Sequence, residues 1–180
     1  MQLHPDVVVG VVQRTGELVA VAALGVPFGE RVGRFEEAVG VLRLAFAGGP
    51  LRHQGPYYPF EEVVVSPGPV PIPIVLGGNG ERALRRAVAL GDGWITSATP
   101  EFDDARRLRD RLAELSVEAG RSSPLVTAWR IAAARPEIVA AYRAEGFESL
   151  VVWADAVWVG PTLDERRAGL ARTAAALGLP

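Results

Sequence analysis

The stretch Ile72-Pro73-Ile74-Val75-Leu76 runs into Gly77-Gly78-Asn79-Gly80 and then Glu81-Arg82-Ala83. A short apolar strand that ends in a glycine-rich turn and opens a helix aims unsatisfied backbone N–H groups and the positive helix end at one point. Glycine lets an anion approach the backbone with no Cβ in the way. Arg82 or Arg85 adds positive charge, and Asn79 is placed either to cap the helix or to bond a phosphate oxygen. The chemistry on offer is phosphate binding by Gly77, Gly78, Asn79, Gly80 and Arg82. The same residues also suit a tight β–α turn that holds no ligand, and the residues alone leave both readings open.

Gly78-x-Gly80-x-x-Ala83 also satisfies the dinucleotide pattern of a Rossmann-type NAD-binding module. That pattern needs an acidic residue at the end of the next strand. Here the next strand reads Gly93-Trp94-Ile95-Thr96-Ser97 and continues Ala98-Thr99-Pro100, with no acid before Glu101. The NAD reading is therefore the lesser alternative. Thr96, Ser97 and Thr99 fall at a strand's carboxyl end, where α/β folds keep their ligands. Arg130 falls in or at the end of a later strand, with Trp153, Asp155 and Trp158 just past the last one. Trp129 and Trp153 are expected in the core. His4 and His53 stand far apart with no metal-ligand spacing, so no metal site is expected and both read as surface or turn residues. No nucleophile elbow, zinc-protease helix or P-loop occurs, and the catalytic residues stay unknown.

The elements that must position these residues alternate. A β-branched strand fits Asp6–Val12, and a helix fits roughly Glu30 to Ala47 on the spacing of Phe35, Val39, Leu42 and Phe46. Gly48-Gly49-Pro50 stops it. Gly55-Pro56-Tyr57-Tyr58 suggests a turn and Val63–Val65 a short strand. Pro67, Pro69, Pro71 and Pro73 favour an extended connector. Then come a strand over Ile72–Leu76 and a helix to Leu90, and a strand over Gly93–Ser97 with a helix to Gly120. Thr99 is the expected cap of that helix, with Pro100 at its first position. A strand over Leu125–Ala133 and a helix from Pro136 to Gly146 follow. Last come a strand over Ser149–Trp153 and a helix whose Thr162-Leu163-Asp164-Glu165 matches a capping box. Strands alternating with helices imply a mostly parallel sheet with right-handed crossovers.

Composition narrows the function classes. The chain has 180 residues, enough for one domain but short of the roughly 200–250 of a complete (β/α)₈ barrel. Apolar residues make up 49%, which argues against disorder. A net charge of −2 leaves no basic excess for nucleic acid. No polybasic cluster points to a membrane surface, and no apolar run reaches the roughly 18 residues of a membrane span. There is no cysteine, so disulfides and thiolate chemistry are excluded. No signal peptide is visible, which makes a cytoplasmic protein the expectation. All 19 basic residues are arginine and Asn79 is the sole asparagine, a pattern that suits a GC-rich genome and lowers the weight of any single arginine.

Several blocks together resemble the luciferase-like monooxygenase family. They are Ala23-Leu24-Gly25-Val26-Pro27-Phe28, then Glu30-Arg31 and Arg34-Phe35-Glu36-Glu37-Ala38-Val39, then the proline-rich approach to Ile74–Gly78, Arg82-Ala83-Leu84-Arg85 and Gly91-Asp92-Gly93-Trp94. Their order and separation match over roughly residues 6–180. The resemblance implies a (β/α)₈ TIM barrel and an oxidoreductase or monooxygenase using reduced FMN or the deazaflavin F420 on a small organic substrate. It also implies that Gly77, Gly78, Asn79 and Gly80 lie where the cofactor phosphate binds. About three βα units that family members carry before the strand at Asp6–Val12 are missing here. The family's Gly-x-Gly after that strand is replaced by Gly10-Val11-Val12-Gln13, and the segment from Glu17 to Gly25 is longer than expected. The expectation is a single luciferase-like domain over residues 1–180: an α/β, partial barrel of about five βα units, matching the C-terminal part of the family. Its unpaired edges predict a homo-oligomer. A non-catalytic remnant serving cofactor binding or subunit contact is the alternative.

Overall fold

Ile74, Val75 and Leu76 are each 2% exposed, and a strand apolar on both faces belongs inside a parallel sheet. A computed structural model of the chain describes residues 9–11, 25–66 and 68–179. In it, strand β4 (Ile74–Gly77) lies between β1 (Val9–Val11) and β5 (Gly93–Ile95), and β6 (Val126–Arg130) and β7 (Ser149–Val151) continue the sheet. All four pairings are parallel. Of the strand expected over Asp6–Val12, Val9–Val11 are described and the rest lies outside the described residues, as do His4 and the longer segment before Gly25.

Helix α1 (Arg31–Ala47) precedes a separate antiparallel hairpin of β2 (Gly49–His53) and β3 (Phe60–Val65). α2 (Glu81–Leu90), α3 (Phe102–Glu118), α4 (Pro136–Ala144) and α5 (Leu163–Ala176) then alternate with the strands. The described strands of the large sheet run in chain order, β1-β4-β5-β6-β7. A Rossmann sheet reverses its order at a switch point between two halves. This sheet winds one way only, so the NAD-module topology expected as the lesser alternative is not what these residues form.

One-way winding with right-handed crossovers puts every helix on one face. A single apolar core bears this out. It holds Val39 of α1, Leu84, Ala87 and Val88 of α2, Ala105, Leu112 and Leu115 of α3, and Val139 and Tyr142 of α4, with Leu177 against its edge. The sheet supplies Ile74, Leu76, Trp94, Trp129 and Ile131, with Leu150 and Val152 packed alongside. Trp94, Trp129 and Phe147 stack edge to face, with centroids 5.1 and 4.7 Å apart. Because strand side chains alternate, Val75, Gly77, Ile95, Ser97, Ala128, Arg130, Val151 and Trp153 belong to the opposite face, open in that no helix among the described residues covers it.

Several expectations are corrected. Trp153 is 56% exposed rather than in the core. Leu150 and Val152 take the helix side, so alternation sends Trp153 to the open face. α3 begins at Phe102, not at Pro100: Glu101, in extended conformation, is its N-cap and makes no side-chain cap bond. The carbonyl of Glu101 accepts from Ala105 N at 2.9 Å and so opens the helical ladder, leaving Thr99 and Pro100 in the turn. Three later strands are shorter than expected, since each stops where its chain leaves the sheet toward a helix. β2 is an unexpected strand. Pro50 sits in it because the hairpin is a two-stranded ribbon, where a residue without an N–H is tolerated at an edge. The capping box at Thr162 and Glu165 forms as read: Thr162 Oγ1 accepts from Glu165 N, and Glu165 accepts from Thr162 N at 2.9 Å.

Candidate functional site

β4 leaves the sheet at Gly77, and the turn that follows is held from behind. The indole Nε1 of Trp94 donates to the carbonyl of Gly78 at 2.8 Å. Gly78 has φ +130, and a Cβ there would lie 2.5 Å from Ala83 Cβ, so the turn requires glycine. Gly80 is the N-cap of α2 and makes no side-chain cap bond. A Cβ at Gly80 would meet nothing within 4 Å, so the space in front of the first turn is open.

Asn79 does not cap the helix, as it was expected it could. Its Oδ1 accepts from Ser97 N at 3.0 Å and lies 3.3 Å from Ser97 Oγ. The amide therefore ties the turn after β4 to the exit of β5. The buried Thr96 ties β5 to β6 in turn, its Oγ1 accepting from Arg130 N at 2.8 Å. Gly91-Asp92-Gly93 fixes the other end of these strands. Asp92 Oδ2 accepts from Ile74 N at 2.8 Å and Oδ1 from Arg43 of α1 at 3.1 Å. A Cβ on Gly93 would lie 2.5 Å from the Val126 carbonyl.

A cleft of about 530 Å³ opens in front of the turn, lined by Gly77–Ala83 with Arg31, Val32, Arg86 and Ser97. All five residues expected at the phosphate turn, Gly77, Gly78, Asn79, Gly80 and Arg82, line it. Arg85 does not: it pairs with Glu81 and Glu118. Arg82 is exposed and makes no hydrogen bond or ion pair among the described residues. Among the described residues Glu81 is the acid that lines the cleft. Arg111, bonded to it at 2.7 and 3.0 Å, holds its carboxyl below the ordinary range and neutralises it. Glu36 likewise holds Arg86 at 3.0 Å. Arg31 stands on the far wall, its guanidinium 3.6 Å over the ring of Phe28 and 2.7 Å from the Phe28 carbonyl.

Arg31, Arg86 and Ser97 were not read as part of the site. Arg31 reaches it from a helix some fifty positions earlier, which no local spacing reveals. Ser97 was singled out only for ending a strand. His53, expected as a surface or turn histidine, instead ends strand β2, part-buried, with its Nε2 3.1 Å from Glu37 Oε1. Among the described residues no group of three or more His, Asp or Glu gathers to hold a metal. No helix there is long and apolar enough to cross a membrane.

Open backbone N–H groups, a helix N-terminus and two arginine-bearing walls make an anion cradle. A phosphate fits it. The cradle is glycine-lined where a side chain would otherwise fill it, and the one carboxylate among its described lining residues is already paired.

Comparison with known proteins bears on the family and the fold. An uncharacterized protein of Mycobacterium tuberculosis is 37% identical over 102 residues, 56% of this chain and 35% of that protein. An F420-dependent glucose-6-phosphate dehydrogenase of Beutenbergia cavernae is 33% identical over 88 residues, 47% of this chain and 26% of that enzyme. The matches thus span about a third or less of these relatives' own length. The solved structure of an F420-dependent secondary alcohol dehydrogenase with an F420–acetone adduct superposes with a TM-score of 0.53 at 21% identity. That match covers 84% of this chain and 47% of the other, and it is a likeness of fold. The model of the luciferase-like monooxygenase family matches residues 7–177, and the chain belongs to that family.

Proposed function

We propose that this chain binds the phosphate of a flavin-type cofactor, F420 in the first place and FMN as the alternative, at Gly77, Gly78, Asn79, Gly80 and Arg82. It would serve a luciferase-like oxidoreductase acting on a small organic substrate. The observation that carries the reading is the uncapped N-terminus of α2 at Gly80, open to a cleft walled by Arg31 and Arg82. F420 is placed first because relatives with a named activity at 33% and 31% identity are F420-dependent dehydrogenases. The open cleft also suits F420, whose phosphate is a diester and must let its second ester arm continue to solvent. When bound, either cofactor supplies the hydride chemistry. The chain's own part is to hold the phosphate on backbone N–H groups and to fix the turn through Trp94 and Asn79.

The domain is read as a partial barrel of about five βα units, corresponding to the C-terminal part of the family. β1 and β7 are its edges among the described residues, and the open face stands where a closed barrel has its interior. A second copy closing that face makes the protein a homo-oligomer in a cytoplasmic setting. Fluorescence titration with F420 and, separately, FMN tests the cofactor. Saturable binding to one names it, and no binding to either at high micromolar concentration removes the reading.

One observation favours a second reading. Among the described residues no histidine or tyrosine lines the cleft and its carboxylate is paired to arginine, so these residues offer no proton donor near neutral pH. A unit that binds cofactor or a partner subunit without turnover would look the same. Steady-state turnover with reduced F420 or FMN would rule it out.

A further inference from the structure

Beyond the phosphate turn, the open face carries a second cluster at the same carboxyl rim. Arg130 ends β6 and Trp153 follows β7 by two residues. Arg130 and Val151 are register partners, so they share a face, and alternation brings Trp153 to that face too. The guanidinium of Arg130 lies 4.3 Å from the Trp153 ring centroid. Its Nη1 donates to the Ser97 carbonyl at 3.1 Å, and Ser97 is bonded to Asn79 of the phosphate turn. The rim thus reads Asn79, Ser97, Arg130, Trp153 across successive strands.

We propose that Arg130 and Trp153 form a substrate subsite for a planar organic carboxylate. This rests on the cofactor-turn reading only for calling the ligand a substrate. The chemistry is in the pair itself. Stacking on an indole holds a guanidinium flat and turns its N–H edge outward, in the geometry that pairs with a carboxylate through two parallel bonds. Nη1 is fixed by Ser97, while Nε and Nη2 have no acceptor among the described residues. Among the described residues no carboxylate pairs with Arg130: Asp155, just past Trp153, makes no bond to it, whereas Arg43, Arg86 and Arg111 each have an acidic partner. Trp153 leaves 56% of its surface to solvent, an apolar plane beside a cation with unfilled donors. Two strand steps of about 4.8 Å put Arg130 roughly 10 Å from the phosphate turn and a third puts Trp153 roughly 14 Å away, so a ligand here and a phosphate there would not collide.

The test is a titration of the full chain with sodium benzoate at constant ionic strength and without cofactor. It is followed by the indole N–H resonances in a nitrogen–proton correlation spectrum, with Trp153→Phe identifying the Trp153 peak. The expected result is a saturable shift of that peak at millimolar benzoate. Affinity should fall about tenfold or more in Arg130→Gln and less in Arg130→Lys, which keeps the charge and loses the fork. Gly80→Asp should leave benzoate binding unchanged while removing cofactor binding, so either reading can fail without the other. A peak that moves linearly with benzoate, moves equally with chloride, or responds identically in Arg130→Gln and Arg130→Lys chains that keep dispersed spectra overturns the proposal.

Discussion

The indole N–H of Trp94, a residue with no exposed surface, bonds the carbonyl of Gly78 at 2.8 Å and so fixes the glycine turn after β4 from inside the core. Trp94→Phe keeps a ring in the core, removes that donor and leaves the Gly78 carbonyl without it. The expected cost is about 2–3 kcal/mol of folding stability, from the smaller ring and the orphaned acceptor together. Cofactor affinity should fall with it, because the turn loses its anchor. Urea unfolding and a cofactor titration on the same variant check both. An unchanged affinity in the folded variant would show that the turn holds its shape without Trp94.

Asp92 makes the matching clamp at the opposite end of β4. It accepts from the backbone of Ile74 and from Arg43, joining the sheet to α1. Asp92→Ala strands the Ile74 N–H and should cost about 1–3 kcal/mol. Asp92→Asn keeps one acceptor and should cost less. Since the clamp is remote from the cleft, cofactor affinity in the folded fraction should hold. Chemical denaturation paired with titration distinguishes this from a role at the site.

How much of this could be read in the sequence follows from how local each signal is. The alternation of elements and the glycine turn were legible, because a strand, its turn and its helix are neighbours in the chain. So was the box at Thr162, where four consecutive residues carry the whole motif. The hairpin over Gly49–Val65 was half-read, since Pro50 argues against a strand unless the strand is known to lie in a two-stranded ribbon. Trp153 was misassigned because aromatic character alone does not say which face a three-residue strand offers it. The far wall at Arg31 and the tie from Asn79 to Ser97 come from the packing of separate elements, and no spacing in the chain encodes them.

The hairpin loop gives a prediction about acid. Glu37, on α1, has a side chain only 9% exposed. Burial pushes its carboxyl upward, but the backbone N–H groups of Tyr58 and Tyr57 and the ring of His53 outweigh that and hold it below the ordinary glutamate range. A group whose value is depressed by folding contributes stability that is present above its unfolded value and lost as pH falls through the folded one. The hairpin should therefore hold near neutrality and loosen as pH drops below the ordinary glutamate range. Glu37→Gln should flatten that part of the pH dependence while lowering stability at neutral pH. Thermal unfolding across the acid range, with Tyr57 and Tyr58 amide exchange as the local reporter, checks it. A wild-type curve that keeps the same slope in Glu37→Gln would assign the acid sensitivity to other carboxylates.

Gly78 and Gly80, two residues apart, should respond oppositely to substitution. At Gly78 the backbone has φ +130, and any Cβ meets Ala83 Cβ at 2.5 Å, a one-carbon side chain with no rotamer to move it aside. Gly78→Ala should cost about 2–3 kcal/mol, combining backbone strain with a steric shift. At Gly80 the backbone is already extended, with φ −81 and ψ 151, the Cβ position is empty, and the residue is the N-cap of α2. Aspartate is a favoured N-cap, so Gly80→Asp should leave stability unchanged or raise it by a few tenths of a kcal/mol. It also sets a carboxylate where the phosphate would lie, and cofactor affinity should fall more than about tenfold from charge repulsion and lost space. A stable Gly80→Asp chain that still binds cofactor would make the turn structural alone and move the phosphate elsewhere. A stable chain that has lost binding would tie the phosphate to the open end of α2.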